Sequence, residues 1–381
     1  MTLPVWQTEL DDAAGAVLTV DLGALRANYL WLAAAVAPAA CAAVVKADAY
    51  GLGAAAVAPV LYRAGCRDFF VAHLSEAVAL RPLLPADAAL MVLNGLQPGT
   101  DAACAAAGAV PVLNSLEQAE SWADFGLREG RRLPAVVQLD TGMSRLGLPP
   151  DEFDALLAQP KRLAALDVVL AMSHLACSDE PGHPANAAQH RCFSRLLERL
   201  PGTRVSFANS GGILLDRSFH HDLARPGVAL YGVNPTPDAA HGLRPVVRLD
   251  ARVIQLRTIP AGTAVGYGAA FVAARPSRIA TIAVGYADGW PRHLGGAGAA
   301  YVDGVRLPIA GRVSMDSITL DVTDLPEGRL RRGSTVELLG PHQSLDQVAA
   351  EAGTIPYEIL TGLGHRYARR ILDASNEGTP P

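Results

Sequence analysis

Of the 32 lysine and arginine residues in this 381-residue chain, only two are lysines, Lys46 and Lys161. Lys46 lies in Ala-Val-Val-Lys-Ala-Asp-Ala-Tyr-Gly-Leu-Gly (43–53), where an apolar run ends and a glycine-flanked turn begins. Arginine stays protonated, whereas a buried lysine can lose its proton and condense with an aldehyde. Lys46 is therefore a candidate for covalent carbonyl chemistry; on these residues alone a surface lysine at a strand end remains the alternative. Lys161 follows Gln-Pro in a polar stretch and reads as a solvated lysine. A second candidate is Asn209-Ser210-Gly211-Gly212, which follows an apolar run and opens a possible helix. Its amides and the Ser210 hydroxyl could cradle a phosphate or simply cap the helix. Ala-Arg-Pro-Gly-Val (224–228) adds two free amides after an arginine. Neither the cysteine spacing nor the pairs Asp11/Asp12 and Asp151/Asp154 suggest a metal site or a two-carboxylate acid/base pair.

These groups need a scaffold. Short apolar or β-branched runs near 42–46, 69–72, 90–93, 110–113, 135–139, 168–172, 205–208 and 228–231 read as strands buried on both faces. Helical signals fall between them, at Ser75–Leu83, Ser115–Phe125, Asp151–Leu157 and Asn186–Leu200. Eight such units fit an N-terminal (β/α)8 barrel over 22–243 better than an open doubly wound sheet, which stays an alternative. The barrel predicts chemistry just past the strand C-termini, where Lys46, Asp48, Tyr50, Asn94, Asn114, Asp140, Thr141, Arg145, His174, Asn209, Ser210, Arg225, Gly227 and Tyr231 fall. From about 244 to 381, alternating runs between Gly, Pro and Asp turns predict a smaller, mainly antiparallel β domain ending in a helix near 356–370. The early strand 16–20, within 1–21, is expected to join it and to lead into a helix over 22–36. The tail after Ala374 reads as disordered.

Composition sets the class. Half the residues are hydrophobic and 18% are charged, enough for a large core, and the formal net charge is −5. That argues against nucleic-acid or anionic-membrane partners, which call for basic patches. Five cysteines, an odd number without CxxC spacing, read as reduced thiols. With no signal-peptide pattern and no apolar run long enough to span a bilayer, a cytoplasmic protein is expected.

Taken together, eight blocks resemble the alanine racemase family of fold-type III pyridoxal phosphate enzymes: 44–51 around Lys46, Leu-Asp-Thr-Gly-Met-Ser-Arg-Leu-Gly (139–147), Ser-His-Leu-Ala (173–176), Ala-Asn-Ser (208–210), Arg-Pro-Gly-Val-Ala-Leu-Tyr-Gly (225–232), Gly-Tyr-Gly (266–268), Val-Gly-Tyr-Ala-Asp-Gly (284–289) and Gly-Arg-Val-Ser-Met-Asp (311–316). The resemblance implies a barrel, a C-terminal β domain and a homodimer with shared active sites. It implies that Lys46 holds the cofactor, pyridoxal 5'-phosphate, and serves as base on one face of an amino-acid substrate, with Tyr267 of the partner subunit on the other. Arg225 would face the pyridine nitrogen as a permanent donor, with His174 in the adjoining network. Tyr50, Ser210, Gly227, Val228 and Tyr357 would hold the phosphate, with Asn209 supporting. Arg145 and the backbone of Met315 would take the substrate carboxylate, while Tyr286 and Tyr357 narrow the entrance. On spacing alone Tyr267 is a turn aromatic and Tyr286 a candidate core tyrosine.

The chain departs from the family pattern at Gln138, where many relatives carry a carbamylated lysine steadying the equivalent of Arg145, at Leu52 for a histidine and at Ser314 for a cysteine. The reaction implied is interconversion of L- and D-alanine, supplying D-alanine to peptidoglycan or degrading it. A racemase for serine, lysine or arginine, a decarboxylase of the same fold, and a non-catalytic carrier of the cofactor are the alternatives.

Overall fold

The computed structural model describes residues 14–236 and 241–373; the expectations for Asp11, Asp12 and the tail lie outside the described residues. The chain divides into two compact units, one running from Leu25 to Arg244 and the other joining residues up to Ala24 to those from Pro245 onward. The first described elements are strand β1 (Ala16–Asp21) and the helix Leu22–Val36.

In the first unit the strands are β2 (Ala40–Cys41), β3 (Ala43–Val44), β4 (Asp68–Val71), β5 (Ala89–Val92), β6 (Val110–Leu113), β7 (Leu133–Gln138), β8 (Leu166–Met172), β9 (Val205–Ser206) and β10 (Leu223–Ala224). Strands β3 to β9 pair in chain order and in parallel, and β10 pairs in parallel with β2. The Asp222 and Arg225 amides donate to the Val205 and Ala208 carbonyls, so β9 also meets β10. Since β2 and β3 are one interrupted strand, eight strands close into a ring. A closed parallel barrel is covered inside by its own side chains and outside by helices, which is why β4 and β6 are buried at every position. The helices are set by local chemistry: over Leu116–Glu129, Ser115 Oγ accepts the Gln118 amide and Gly130, at φ 65°, ends the helix.

Two expectations are corrected. The run 228–231 is not the eighth strand: Val228–Tyr231 form a buried 3-10 turn, and the strand is the two-residue β10. Pro226 and Gly227 end the extended backbone, and a buried turn is as apolar as a buried strand. The final helix is also shorter than 356–370. It stops at Gly362, and Ala368–Leu372 become a strand instead. Helices at Ala54–Arg63, Asp101–Ala106 and Pro160–Ala165, and a strand at Ala299–Val302, went unread in the sequence.

In the second unit β11 (Val247–Ile259) is the spine of an eight-stranded sheet. It pairs antiparallel with β1, from Ala16 opposite Ala251 to Val20 opposite Val247. On its other edge β1 runs parallel to Ala368–Leu372. The alternating burial of β1 fits a sheet with one face covered.

Asp68 is the one charged residue of the all-buried β4. Both its carboxylate oxygens accept from Arg204, each at 2.9 Å. Asp68→Ala is expected to destabilise the barrel by about 2 kcal/mol, through loss of a bidentate charged pair that is largely buried on one side. A lowered urea midpoint with unchanged activity per folded molecule is the outcome to look for.

Candidate active site

Lys46 opens the turn that follows β3. Ala47, Asp48, Ala49 and Tyr50 all have φ between 52° and 56°, and Gly51 follows at 84°. A left-handed turn of non-glycine residues costs about 1–2 kcal/mol per residue, so neighbours must over-determine it. They do: Glu76 Oε1 accepts the Ala47 amide at 2.6 Å, and Asp48 Oδ1 accepts the Ala54 amide at 2.6 Å. Glu76 Oε2 takes the Ala72 and His73 amides at 2.7 and 3.0 Å. Burial, and then the Arg145 guanidinium, hold the Lys46 ammonium below the ordinary lysine range, while Glu76 pulls the other way. Lys161, on its helix, is exposed.

Arg225 is 3% exposed and has its partners in place: Ser206 Oγ, the Ser173 carbonyl at 2.7 Å, and the Phe70 ring at 6.0 Å. Burial lowers its guanidinium to about 9, so it remains charged at neutral pH. Burial, together with the charges of Arg225, Arg145 and Lys46, pushes the His174 imidazole down to about 3, leaving it neutral. The loop bearing His174 is clamped by Gln189, whose side chain donates to the His174 carbonyl and accepts the Ala176 amide, both at 2.9 Å.

The next two strand ends make a cradle. Asn209 caps the helix Ser210–Leu215 by accepting the Gly212 amide at 2.9 Å. Ser210 Oγ accepts the amides of Gly227 and Ala229 at 2.9 and 3.3 Å, gathering one hydroxyl and two N–H groups at one buried point. A Cβ on Gly227 would collide with the Tyr50 hydroxyl. The Tyr50 ring packs 4.7 Å from Tyr231, whose hydroxyl donates to the Val44 carbonyl at 3.1 Å. Such a set of short-reach donors fits a phosphate-sized anion.

Arg145 is exposed on a loop that two residues shape. Asp140 Oδ1 accepts the amides of Gly142, Met143 and Ser144 at 2.9, 3.0 and 3.2 Å. Gln138 is buried, and its Nε2 donates to the Leu146 carbonyl at 3.1 Å. It therefore fixes the backbone beside Arg145 by a neutral hydrogen bond.

The second unit assembles its own group. Tyr267 is 70% exposed at the tip of a hairpin between Ala264–Val265 and Phe271–Val272. Gly268 lies over the Arg312 guanidinium. Tyr286 is 41% exposed, not a core tyrosine, and its amide donates to the Ser314 carbonyl at 3.0 Å; the next amide, of Ala287, donates to Met315 at 2.9 Å. Arg366 clasps Asp288 through two bonds of 2.7 and 2.9 Å and Asp316 through one of 2.7 Å, tying the Tyr286 and Met315 loops to the segment after Tyr357. The structure thus gathers Lys46, Tyr50, Arg145, His174, Asn209, Ser210, Arg225, Gly227 and Val228 in one unit, and Tyr267, Tyr286, Met315 and Tyr357 in the other. Glu76, Gln189, Ser206 and Arg366 were not read from the sequence; only a search for polar residues next to the marked strand ends would have found them.

Gly227→Ala is expected to weaken binding of inorganic phosphate to the cradle about tenfold, roughly 1.4 kcal/mol, by displacing Tyr50. Calorimetric titration against the unaltered protein checks it.

The alanine racemase N-terminal domain model matches residues 20–235, and the C-terminal domain model matches residues 246–371. The alanine racemase of Brucella canis is 58% identical over 100% of this chain and 99% of its own. The "Alanine racemase, catabolic" of Agrobacterium fabrum is 54% identical over 98% of this chain and 96% of its own. The crystal structure of alanine racemase from Bartonella henselae with covalently bound pyridoxal phosphate superposes with a TM-score of 0.91 at 47% identity, covering 94% of this chain and 100% of that one. Both domain matches and the full-length identity establish that the chain belongs to the alanine racemase family.

Proposed function

We propose that this protein is a pyridoxal phosphate-dependent enzyme that interconverts L- and D-alanine. The observation that carries the reading is Lys46: a half-buried amine with a lowered pKa at the barrel rim, next to Arg145 and His174 and four residues from the cradle formed by Tyr50, Ser210 and Gly227. The cradle fits the phosphate of the cofactor. When bound, the cofactor supplies an electron-withdrawing ring that acidifies the substrate Cα–H bond.

The chain's own residues then do the following. Lys46 Nζ takes or returns the α-proton on one face, and the hydroxyl of the partner's Tyr267 acts on the opposite face. Arg225, charged and donating only, would offer a hydrogen bond to the ring nitrogen of the bound cofactor without giving up a proton. Arg145 and the Met315 amide hold the substrate carboxylate. Tyr286 and Tyr357 restrict the side chain to about the size of a methyl group. Exposure of Tyr267, Val272, Met315 and Ile355 supports a second copy covering that face, giving a homodimer with shared sites. Five unpaired cysteines support a cytoplasmic setting, and among the described residues no helix is long and apolar enough to cross a membrane.

Lys46→Ala should abolish racemisation, followed as loss of optical rotation of L-alanine. Tyr267→Phe should stop racemisation while one enantiomer alone still exchanges its α-hydrogen with D2O. Mixing these two inactive variants under subunit exchange should recover about a quarter of wild-type sites, because a heterodimer restores one of two shared sites; no recovery sinks the shared-site arrangement. On the acid side, activity should fall as Lys46 takes up its proton. His174 is already neutral there, since its pKa lies near 3. His174→Asn should therefore lower the rate without moving the midpoint of the acid limb.

A further inference from the structure

Three amide groups from two separate stretches of backbone converge on one carboxylate beside Lys46. Glu76 Oε1 accepts the Ala47 amide at 2.6 Å, and Oε2 accepts the Ala72 and His73 amides at 2.7 and 3.0 Å. Ala47 is the residue after Lys46 and the first of four non-glycine residues held at positive φ. Ala72 and His73 lie just past the end of β4, the strand that pairs with β3. From the first turn of the helix Leu74–Leu80, Glu76 thus staples the strained Lys46 turn to the neighbouring strand end. Backbone–backbone bonds within the turn, such as Gly51 N–H to the Ala47 carbonyl at 2.8 Å, shape it but do not fix it to the barrel.

We propose that Glu76 is a positioning residue for Lys46, holding the amine at the rim through the Ala47 amide and acting as the anion that opposes its desolvation. The proposal rests on the reading of Lys46 as the reactive lysine. Two charges act on Lys46, Arg145 on the loop after β7 and Glu76 itself, and His174 after β8 faces the same group. Arg145 repels the protonated amine and His174 stays neutral, so Glu76 is the attractive partner among them. A carboxylate can accept from both sides at once. A carboxamide offers one acceptor oxygen and turns donor hydrogens toward the other amides.

The two-lysine composition supplies the test. In the cofactor-free protein, acetic anhydride labelling of Lys46 is measured against pH by peptide mass spectrometry, with exposed Lys161 as internal reference. Glu76→Gln removes the charge, so the Lys46-to-Lys161 labelling ratio near neutral pH should rise about threefold or more as the Lys46 midpoint falls. Glu76→Asp keeps the charge but shortens the staple. It should leave the midpoint closer to wild type, yet lower kcat for alanine at least tenfold with KM little changed. Circular dichroism and thermal melting confirm that each variant is folded; should Glu76→Asp not fold, the labelling of the near-isosteric Glu76→Gln decides alone. Folded variants that melt earlier but keep the wild-type labelling ratio and kcat would show a merely structural role and overturn the proposal. Failure of the underlying reading looks different, because Lys46→Ala would then retain racemisation whatever Glu76 does.

Discussion

An amine that must condense with an aldehyde and then carry a proton has to spend part of its time uncharged at the pH of the cell. Free lysine does not, and the surroundings of Lys46 meet that requirement of the proposed function. Burial and the Arg145 charge both disfavour the ammonium, and Glu76 alone among the charges named pulls the other way. The balance leaves an amine that gives up its proton more readily than a solvated lysine. The same field explains His174. Surrounded by Lys46, Arg145 and Arg225, an imidazolium would be a fourth cation, and the ring stays neutral.

Holding that amine at the rim demands unusual backbone. Four successive left-handed residues would not persist in a free peptide; they persist here with Glu76 accepting the Ala47 amide, Asp48 accepting the Ala54 amide and Gly51 and Gly53 continuing at positive φ. The strained turn has a second use. It brings the Tyr50 hydroxyl against Gly227, where any side chain would intrude, so Lys46 and the anion cradle are set by one segment of chain.

How much of this could be read from the residues depended on whether the signal was local. Lys46 stood out because lysine is scarce, and Asn209-Ser210 and Arg225 because they close apolar runs. The helix Leu22–Val36 and strand β1 were legible from their periodicity. The eighth barrel strand was not: β10 has two residues and no pattern, while Val228–Tyr231 are apolar through burial in a turn. Glu76, Gln189 and Arg366 were hidden for a different reason. Each has a partner well removed in sequence, as Glu76 has in Ala47 and Arg366 in Asp288, and nothing near it in the chain marks that partner. Gln138 was legible only as a departure from the family pattern; its bond to the main chain at Leu146 had no signal in the sequence.

That last difference bears on how the loop can work. A charged support for Arg145 would act on the guanidinium directly and vary with its own ionisation. The bond from Gln138 is neutral and buried, and Asp140 gathers the three preceding amides on one oxygen. The loop is therefore fixed through its backbone on both sides of Ser144, which itself sits at φ 56°. Arg145 is left free to answer to what enters the site. Around Lys46 the rim sets Arg145 and Arg225 against Glu76, Asp48 and Asp140, and the three carboxylates already accept backbone amides. An anionic group entering the site would gain most from the guanidinium of Arg145, which stands on this backbone-fixed loop.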